Sequence, residues 1–226
     1  ANLAVAVSDS AILDSLKLKT PTVFADEVMI TATRAGDNAP TTYQLIEKQT
    51  LSKNNLGQDL PFLLDQSVSV VTTSDAGAGI GYTGMRIRGS DATRVNVTLN
   101  GIPVNDAESQ NTFWVDLPDV ASSTQSIQIQ RGVGSSTNGG SAFGGTVSVQ
   151  TQSPSIRPFG EAGVSLGSFK TFRGNLKGGT GLIKNKFFAE ASGSWISSDG
   201  YIDRAASNLR SWFAQAGYMY NGTLLK

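Results

Sequence analysis

The sequence predicts two regions: an α+β domain of short mixed strands with one or two helices, followed by antiparallel strands of an incomplete β-barrel. Hydrophobic residues make up 39% of the 226 residues, enough to bury a core, and glycine fills 25 positions, which favours many turns. Aromatic residues concentrate late in the chain, since 11 of the 18 follow Ser153. The composition changes in the proline-containing stretch 153–160, so we place the boundary between the regions after residue 153.

The first region combines short strand patterns with turn signals. One helical pattern covers Gln58–Asp65, and a second helix is expected after Pro118. The dipeptide Asn100-Gly101 is the strongest available signal for a two-residue hairpin turn. Several strands alternate apolar and polar residues, which predicts one face toward a core and one polar face. The predicted strands are, in order, EVMITAT, YQLI, VSVVTT, MRIRG, RVNVTLN, IQIQRG and TVSVQT.

Four segments after residue 153 alternate apolar and polar residues with a period of two, which is typical of antiparallel strands with two different faces. A soluble β-sandwich would show the same alternation. The aromatic residues favour transmembrane β-barrel strands, because they lie toward the strand ends on the apolar side while small residues fill the middles. These residues are Trp195, Trp212, Tyr218 and Tyr220. Bacterial barrels use about 8 strands or more, so we expect an incomplete barrel in this chain.

The composition excludes several classes of function. The chain has no histidine and no cysteine, so we expect no disulfide, no imidazole base, no thiol nucleophile and no His- or Cys-ligated metal. Lys plus Arg and Asp plus Glu are 18 each, and no basic patch indicates a nucleic-acid partner. No stretch approaches the roughly 18 apolar residues of a transmembrane helix. The start ANLAVAVSDS lacks the basic region of a signal peptide, so either the chain is cytosolic or a signal has already been removed.

Two loops carry residues that could bind a ligand. The segment Gly79–Gly84 fits G-x-G-x-x-G, but a strand pattern follows it, so a ligand-facing or wall-contacting loop is favoured over a nucleotide site. The loop 103–119 holds the densest acidic cluster together with amides and two adjacent aromatics, which suits a polar ligand such as a sugar or metal chelate. A solvated loop anchored by its aromatics is the alternative. The candidate ligand-binding residues are Asp75, Asp106, Glu108, Gln110, Phe113 and Trp114, and we expect no catalytic residue.

Three motifs follow one another along the first region, namely DEVMITATR, MRIRGSDATRVNVTLNGIPV and IQIQRGVGSSTNGGSAFGGTVSVQT. In this order they resemble the N-terminal region with the segment that binds TonB, the central hairpin and the end of the plug domain of TonB-dependent outer-membrane receptors. Gln128, Val133 and Asn138 stand where the family often has Glu, Pro and an aromatic residue, which affects charge pairing with the barrel wall rather than the fold. The loop NDAESQNTFWVDLPD resembles the ferric-chelate-receptor-like branch of Bacteroidetes-type bacteria.

The resemblance implies four parts. Residues 1–25 are the tail of an N-terminal extension, 26–34 a TonB-box-like segment, 35–153 the plug domain, and 154–226 about the first four strands of the barrel. It further implies an outer-membrane receptor of a Gram-negative cell, with its signal peptide removed. Such a receptor binds a scarce extracellular ligand, foremost a ferric siderophore or another iron chelate, and imports it when TonB pulls on the plug. The implied partners are the periplasmic domain of TonB, the small-molecule ligand and outer-membrane lipid, without a cofactor, a metal site or an enzymatic activity.

The resemblance also assigns roles to two sets of residues. TonB would add a strand to the N-terminal segment. That segment consists of Asp26, Glu27, Val28, Met29, Ile30, Thr31 and Ala32. Arg86, Arg88 and Arg131 would pair with carboxylates of the barrel wall and hold the plug, whereas the alternative is ordinary solvent-facing arginines.

Two other classes of function stay open at this point. One is a carbohydrate-binding or adhesive β-rich surface protein that does not transport, and the other is a small hydrolase built on carboxylates. A long run of further alternating strands downstream would favour the transporter, and an activity assay would test the hydrolase.

Overall fold

The computed structural model describes residues 34–36, 41–134, 142–184, 186–220 and 223–225. Twelve strands form two five-stranded sheets and one two-stranded sheet in this part of the chain. The strands are β1 (Tyr43–Glu47), β2 (Val70–Ser74), β3 (Thr83–Ile87), β4 (Val95–Leu99), β5 (Ile102–Pro103), β6 (Thr124–Arg131), β7 (Gly145–Thr151), β8 (Phe159–Leu166), β9 (Phe172–Gly179), β10 (Phe187–Ser198), β11 (Ser207–Tyr220) and β12 (Thr223–Leu225). The predicted extension tail 1–25 and the segment Asp26–Ala32 lie outside the described residues.

A mixed sheet with the order β1-β6-β7-β4-β5 organises the first region. The β4–β7 pair is parallel and the others are antiparallel. Asn100 and Gly101 connect β4 to β5 with φ angles of 52° and 83°, and Leu99 pairs with Ile102. Positive φ at both central residues is what a type I′ turn requires, so the predicted hairpin is confirmed.

The helices of the first region are short. The helix α1 covers Lys48–Asn54 and α2 covers Leu60–Leu63, and three 3-10 turns cover Ala92–Arg94, Trp114–Asp116 and Val120–Ser123. The helix α2 lies inside the predicted helical segment, and Pro61 near its start has the fixed φ that favours a first turn. The sequence did not predict α1, since only Leu51 among its seven residues is buried and no amphipathic period is visible.

Both faces of the mixed sheet are buried, but their chemistry differs. One face contributes to the apolar core, together with both helices and a tryptophan. The sheet residues of that face are Ile127, Ile129, Val147 and Val149, each at most 3% exposed. Successive side chains of a strand point to opposite sides. The other face therefore carries buried polar side chains, namely Gln128, Gln130, Thr146 and Ser148.

The second region is an antiparallel sheet with the order β12-β11-β10-β9-β8. Its two faces agree with the predicted alternation: Leu166 and Trp212 are 81% and 85% exposed, whereas Arg173, Glu190 and Gln215 point the other way and are buried. Hydrogen bonds connect Arg173 and Gln215 to the first region, so the polar face of the antiparallel sheet faces the mixed domain. Within the part of the chain described here, no α-helix is long and apolar enough to cross a membrane.

Candidate functional site

The strongest connection between the two regions is a buried ion pair between Asp119 and Arg173. The guanidinium donates to Asp119 Oδ1 from Nε at 3.2 Å and from Nη2 at 2.9 Å, and Nη2 also lies 3.1 Å from Oδ2. Nη2 donates to Ser122 Oγ at 2.6 Å, and Asn55 Nδ2 donates to Asp119 Oδ1 at 3.0 Å. The two charged side chains are 7% and 1% exposed. We call Asn55, Asp119, Ser122 and Arg173 the buried lock.

The backbone around the buried lock is adapted to the arginine. Asp119 adopts φ 53°, a left-handed conformation that Asp tolerates better than most residues, and this turns its carboxylate toward β9. Gly57 has φ +106°, and a Cβ there would lie 2.9 Å from Arg173 Cδ. A glycine is therefore needed at residue 57 for two reasons, the φ angle and the close approach of the arginine stem.

A second polar contact holds the chain that connects the two regions. Glu190 Oε1 accepts a hydrogen bond from the Ser155 backbone N–H at 2.7 Å, and Oε2 accepts one from Gln215 Nε2 at 2.6 Å. Gln215 Nε2 also lies 3.3 Å from the Gln152 carbonyl oxygen. Glu190 is paired with Gly179 across β9 and β10, at the opposite end of β9 from Arg173. The first region is thus held to the antiparallel sheet near both ends of β9.

The loop that contains the G-x-G-x-x-G pattern contacts the connection between β10 and β11. The Ala76 carbonyl oxygen accepts hydrogen bonds from the backbone N–H groups of Tyr201 at 2.9 Å and Ile202 at 3.3 Å. A Cβ on Gly81 would lie 2.8 Å from Ser207 Oγ. Gly81 therefore allows the loop to approach the antiparallel sheet closely. The pattern runs into the strand β3 and not into a helix, so it offers no helix N-terminus that could hold a phosphate. The wall-contacting interpretation agrees with this geometry.

Asp59 anchors the same loop from inside the first region. Its backbone N–H donates to the Gly79 carbonyl oxygen at 2.8 Å, and Oδ2 accepts a hydrogen bond from Thr83 Oγ1 at 2.8 Å. Oδ1 is buried without a hydrogen-bond partner in the described part of the chain. Burial raises the pKa of Asp59 to about 7, against the opposing effect of the hydrogen bonds from Thr83 and the Gly81 backbone. Because burial penalises the ionised form, the carboxyl group can be neutral near physiological pH.

The predicted ligand-binding residues fall into two groups. Asp75, Asp106, Glu108 and Gln110 are exposed, and Phe113 is 41% exposed. These five residues are therefore accessible in two separate loops: Asp75 lies in one and the other four lie in the loop 103–119, where the Gln110 backbone N–H donates to the Asp106 carbonyl oxygen at 2.9 Å.

The Asp106 carboxylate organises its own turn. Oδ2 accepts hydrogen bonds from the Ser109 backbone N–H at 2.7 Å and from Ser109 Oγ at 2.8 Å, and these hydrogen bonds lower the pKa of Asp106. Asn105 supports the turn from below, since its Nδ2 donates to the carbonyl oxygens of Val95 and Gln110. The loop is thus held in one shape with a charged carboxylate at its surface.

The position of Trp114 corrects one part of the ligand prediction. Its side chain is 4% exposed and packs in the apolar core, so it is not accessible to a ligand in this structure. The 3-10 turn Trp114–Asp116 directs the indole inward, where burial of its large apolar surface is favourable.

The three arginines predicted to contact the barrel find partners within the first region. Arg86 lies 4.0 Å from Asp91, Arg88 donates to Thr42 Oγ1 at 3.1 Å, and Arg131 donates to the Val68 carbonyl oxygen at 3.4 Å. None of these hydrogen bonds or ion pairs reaches the described strands β8–β12, so a contact with other barrel strands stays a prediction. The prediction placed the arginines in the plug and the carboxylates in the barrel wall. In the ion pair Asp119–Arg173 the arrangement is reversed, because the carboxylate lies in the first region and the arginine in the antiparallel sheet.

Sequence reasoning missed the buried lock, although one signal was present. Arg173 and Lys177 alternate with apolar residues on β9, so their face of the sheet cannot contact lipid or an apolar core without a polar partner. That face predicts a buried polar contact, but it does not reveal which carboxylate supplies it.

A cavity of about 150 Å³ lies between the two regions beside the buried lock. Residues from both regions line it, including Asp116, Ser123, Asn175, Lys177 and Ser194. The volume is below the roughly 300–1,000 Å³ that is usual for small-molecule sites, so the cavity suits water better than a chelate.

Comparisons with known proteins agree with this architecture. The model of the TonB-dependent Receptor Plug Domain family matches residues 36–146. Among curated proteins, no relative of the sequence matches. Solved structures do match, and the chain spans only a quarter to a third of the length of those named below.

Three of these structures illustrate the similarity. The ferripyoverdine receptor of the outer membrane of Pseudomonas aeruginosa, bound to ferripyoverdine, is 16% identical, with a TM-score of 0.69 over 85% of this chain and 25% of that one. The siderophore receptor PirA from Acinetobacter baumannii is 16% identical, with a TM-score of 0.63 over 84% and 30%. The ferric yersiniabactin uptake receptor FyuA from Yersinia pestis is 14% identical, with a TM-score of 0.61 over 83% and 31%.

The match to the plug model and the structural similarity confirm the predicted family and the predicted fold class, whereas the Bacteroidetes-type branch stays a prediction. Receptors of this family are transporters rather than enzymes, as the sequence analysis expected. Residues 36–146 are therefore a TonB-dependent receptor plug domain, and the antiparallel strands that follow it have the fold of the start of a TonB-dependent receptor barrel.

Proposed function

We propose that this chain provides the plug and the first barrel strands of an outer-membrane receptor that binds a ferric siderophore or another iron chelate and imports it when TonB pulls on the plug. The observation that carries the proposal is the contact between the plug and the antiparallel sheet. It includes two buried polar contacts, the lock and the hydrogen bond from Gln215 to the Gln152 carbonyl oxygen, and the apolar core cluster of the described residues contains none from β8–β12. Such a contact holds a domain in place and still allows it to move when force is applied, because water can solvate the separated polar groups.

The ligand proposal rests on accessible polar groups and on the names of the neighbours. Asp75, Asp106, Glu108 and Gln110 offer carboxylate and amide groups at the plug surface, and Phe113 offers part of an aromatic ring. The three structural neighbours named above are a ferripyoverdine receptor, a siderophore receptor and a ferric yersiniabactin uptake receptor. An iron chelate is larger than the cavity beside the buried lock, so it would bind at these exposed loops.

The membrane proposal rests on the outer face of the antiparallel sheet. Trp195 and Trp212 are 45% and 85% exposed there, and small residues such as Ala214 lie between the aromatics along β11. Outer-membrane barrels present aromatic residues at the lipid interfaces and an apolar band between them. We therefore propose that the receptor lies in the outer membrane of a Gram-negative cell, with lipid against this face.

The ligand is tested by uptake in a strain that lacks the receptor gene. Cells that carry the full receptor should take up iron from one member of a panel of chelates, haem, cobalamin and glycans, and cells without it should not. Alanine at Asp106 and Glu108 together should weaken binding of that chelate, whereas alanine at the exposed Glu47 of β1 should not. Equal uptake in both strains for every ligand would contradict the proposal.

The TonB contact is tested by a pull-down with the periplasmic domain of TonB. We propose that this domain adds a strand to Asp26–Ala32, the mode called β-augmentation. Proline removes a backbone donor from such a ladder, so Val28→Pro should abolish the pull-down. Val7→Pro, outside the segment, is the matched control and should bind like the unchanged receptor. Undiminished binding by Val28→Pro would refute the assignment of the segment.

A further inference from the structure

Arg34 is held across two strands of the plug sheet. Its Nε donates to Ser148 Oγ at 3.1 Å and Nη1 donates to Ser126 Oγ at 2.9 Å. Nη2 donates to the carbonyl oxygens of Ser126 at 3.2 Å and Ser148 at 2.8 Å. One guanidinium thus bridges β6 and β7 on the polar face of the mixed sheet.

The neighbouring residue is held on the same face by a glutamine. The Gln128 side chain accepts a hydrogen bond from the Ala35 backbone N–H at 2.8 Å and donates to the Ala35 carbonyl oxygen at 2.9 Å. Gln130 Nε2 donates to Gln128 Oε1 at 3.0 Å and orients the amide. Gln128 therefore pairs with Ala35 as the backbone of an adjacent strand would. We call Arg34, Ala35, Ser126, Gln128 and Ser148 the Arg34 clamp.

Within the Arg34 clamp, uncharged oxygen atoms accept the hydrogen bonds of the positively charged guanidinium. Ser148 and Gln128 are each 4% exposed, and burial lowers the pKa of Arg34. The hydrogen bonds named above end on hydroxyl and carbonyl oxygens, and no salt bridge to Arg34 is present among the described residues. Several hydrogen bonds hold the guanidinium in the clamp, and water can replace them after release, because no buried ion pair has to be separated.

We infer that the Arg34 clamp is where a pull on the N-terminal segment enters the plug, and that it holds the plug closed until that pull exceeds a threshold. The inference rests on the proposed function, in which TonB pulls on Asp26–Ala32. Arg34 lies two residues after Ala32 and nine residues before the start of β1 at Tyr43, so tension on the segment reaches the clamp before it reaches β1. Arg34 acts through the strands to which it is hydrogen-bonded, so the force passes from Arg34 to β6 and β7.

The first experiment measures hydrogen exchange in the full receptor without TonB. A hydrogen bond with a charged partner contributes enough that its loss should speed exchange of the Ala35 amide by roughly 10- to 100-fold in Arg34→Ala. Gln128→Met, of similar size but without the amide, should have a comparable effect, and Arg34→Lys should lie between. Arg204→Ala, an exposed arginine in the loop between β10 and β11, is the control and should not change it.

The second experiment applies force. Residues 1–226 contain no cysteine, so Val28→Cys introduces a single thiol into this part of the receptor, and this thiol serves as the handle for pulling on the receptor in a lipid bilayer. The first rupture should occur at a clearly lower force in Arg34→Ala and Gln128→Met than in the unchanged receptor or Arg204→Ala. An unchanged first rupture would overturn the inference. Faster exchange throughout β4–β7 in Arg34→Ala and Arg34→Lys would also overturn it, because the arginine would then only support the sheet.

The two proposals can fail separately. If the TonB domain does not bind the receptor but the handle at residue 28 still reports a rupture that depends on Arg34, the proposed function fails and the clamp stands. If TonB binds and iron is imported but neither exchange nor rupture depends on Arg34, the clamp fails and the proposed function stands.

Discussion

Breaking the buried lock should release the plug from the antiparallel sheet. Asp119→Asn keeps the size of the side chain and tolerates φ 53°, so it removes the charge with little other change. It leaves the Arg173 guanidinium buried without a counter-charge, and Arg173→Gln leaves the carboxylate in the same state. Because both side chains are almost fully buried, each single variant should destabilise the docked plug by about 3–5 kcal/mol.

A double-mutant cycle separates the ion pair from the side effects of each substitution. In the double variant neither charge is buried, and the two amides can form a hydrogen bond, so its loss should be smaller than the sum of the two single losses by about 2 kcal/mol. The readout is the free energy of opening, measured by hydrogen exchange of the amides of residues 119–123 in the full receptor. Asp199→Asn is the matched control, because its ion pair with Lys170 at 2.8 Å is exposed and screened by water, and we expect no measurable change. A coupling free energy near zero between residues 119 and 173 would refute the reasoning.

Three further predictions concern protonation, backbone and membrane. Between pH about 4 and about 7 the folded plug keeps a proton on Asp59 that the unfolded chain has released. The free energy of unfolding should therefore fall as pH rises, by at most about 1.4 kcal/mol per pH unit. Asp59→Asn should remove this contribution, which urea titrations at several pH values would measure. Gly57→Ala should destabilise the plug by about 1–2 kcal/mol through its φ of +106° and its contact with Arg173, and part of that loss should disappear in an Arg173→Ala background, measured by thermal unfolding. Ala214→Arg on the outer face of β11 should disfavour folding into lipid vesicles by about 2–4 kcal/mol, whereas Ala206→Arg in the preceding loop should fold normally; equal yields would argue against lipid on that face.

Features set by neighbouring residues could be predicted from the sequence. The two faces of the antiparallel sheet follow from a period of two, and the hairpin at Asn100-Gly101 follows from the φ angles that its two residues accept. For Trp114 the sequence left two environments open, a ligand contact or an anchor of the loop, because a polar loop sequence does not show that a 3-10 turn directs one of its aromatics into the core.

Features set by docking of the two regions could not be predicted in this way. Asp119 and Arg173 are 54 residues apart, the first just before a 3-10 turn of the plug and the second on β9, so only the packing of the plug against β9 makes them partners. Gly57 has the same origin, since its close approach to Arg173 exists only in the docked arrangement. Polar residues on strand faces indicate that such contacts exist, but the sequence pattern does not identify the pairs.

The strand β6 connects the Arg34 clamp to the buried lock. Ser126, which binds the Arg34 guanidinium, lies next to a β-bulge of β6, and the strand follows directly on the 3-10 turn that carries Ser122. A pull that shifts the start of β6 must therefore move Ser122 and Asp119 relative to Arg173. Because the lock tolerates little displacement at hydrogen-bond distances of 2.6 to 3.2 Å, we expect release of the clamp to weaken it. Force on the N-terminal segment would then reach the plug–barrel contact through one strand, without unfolding the whole plug.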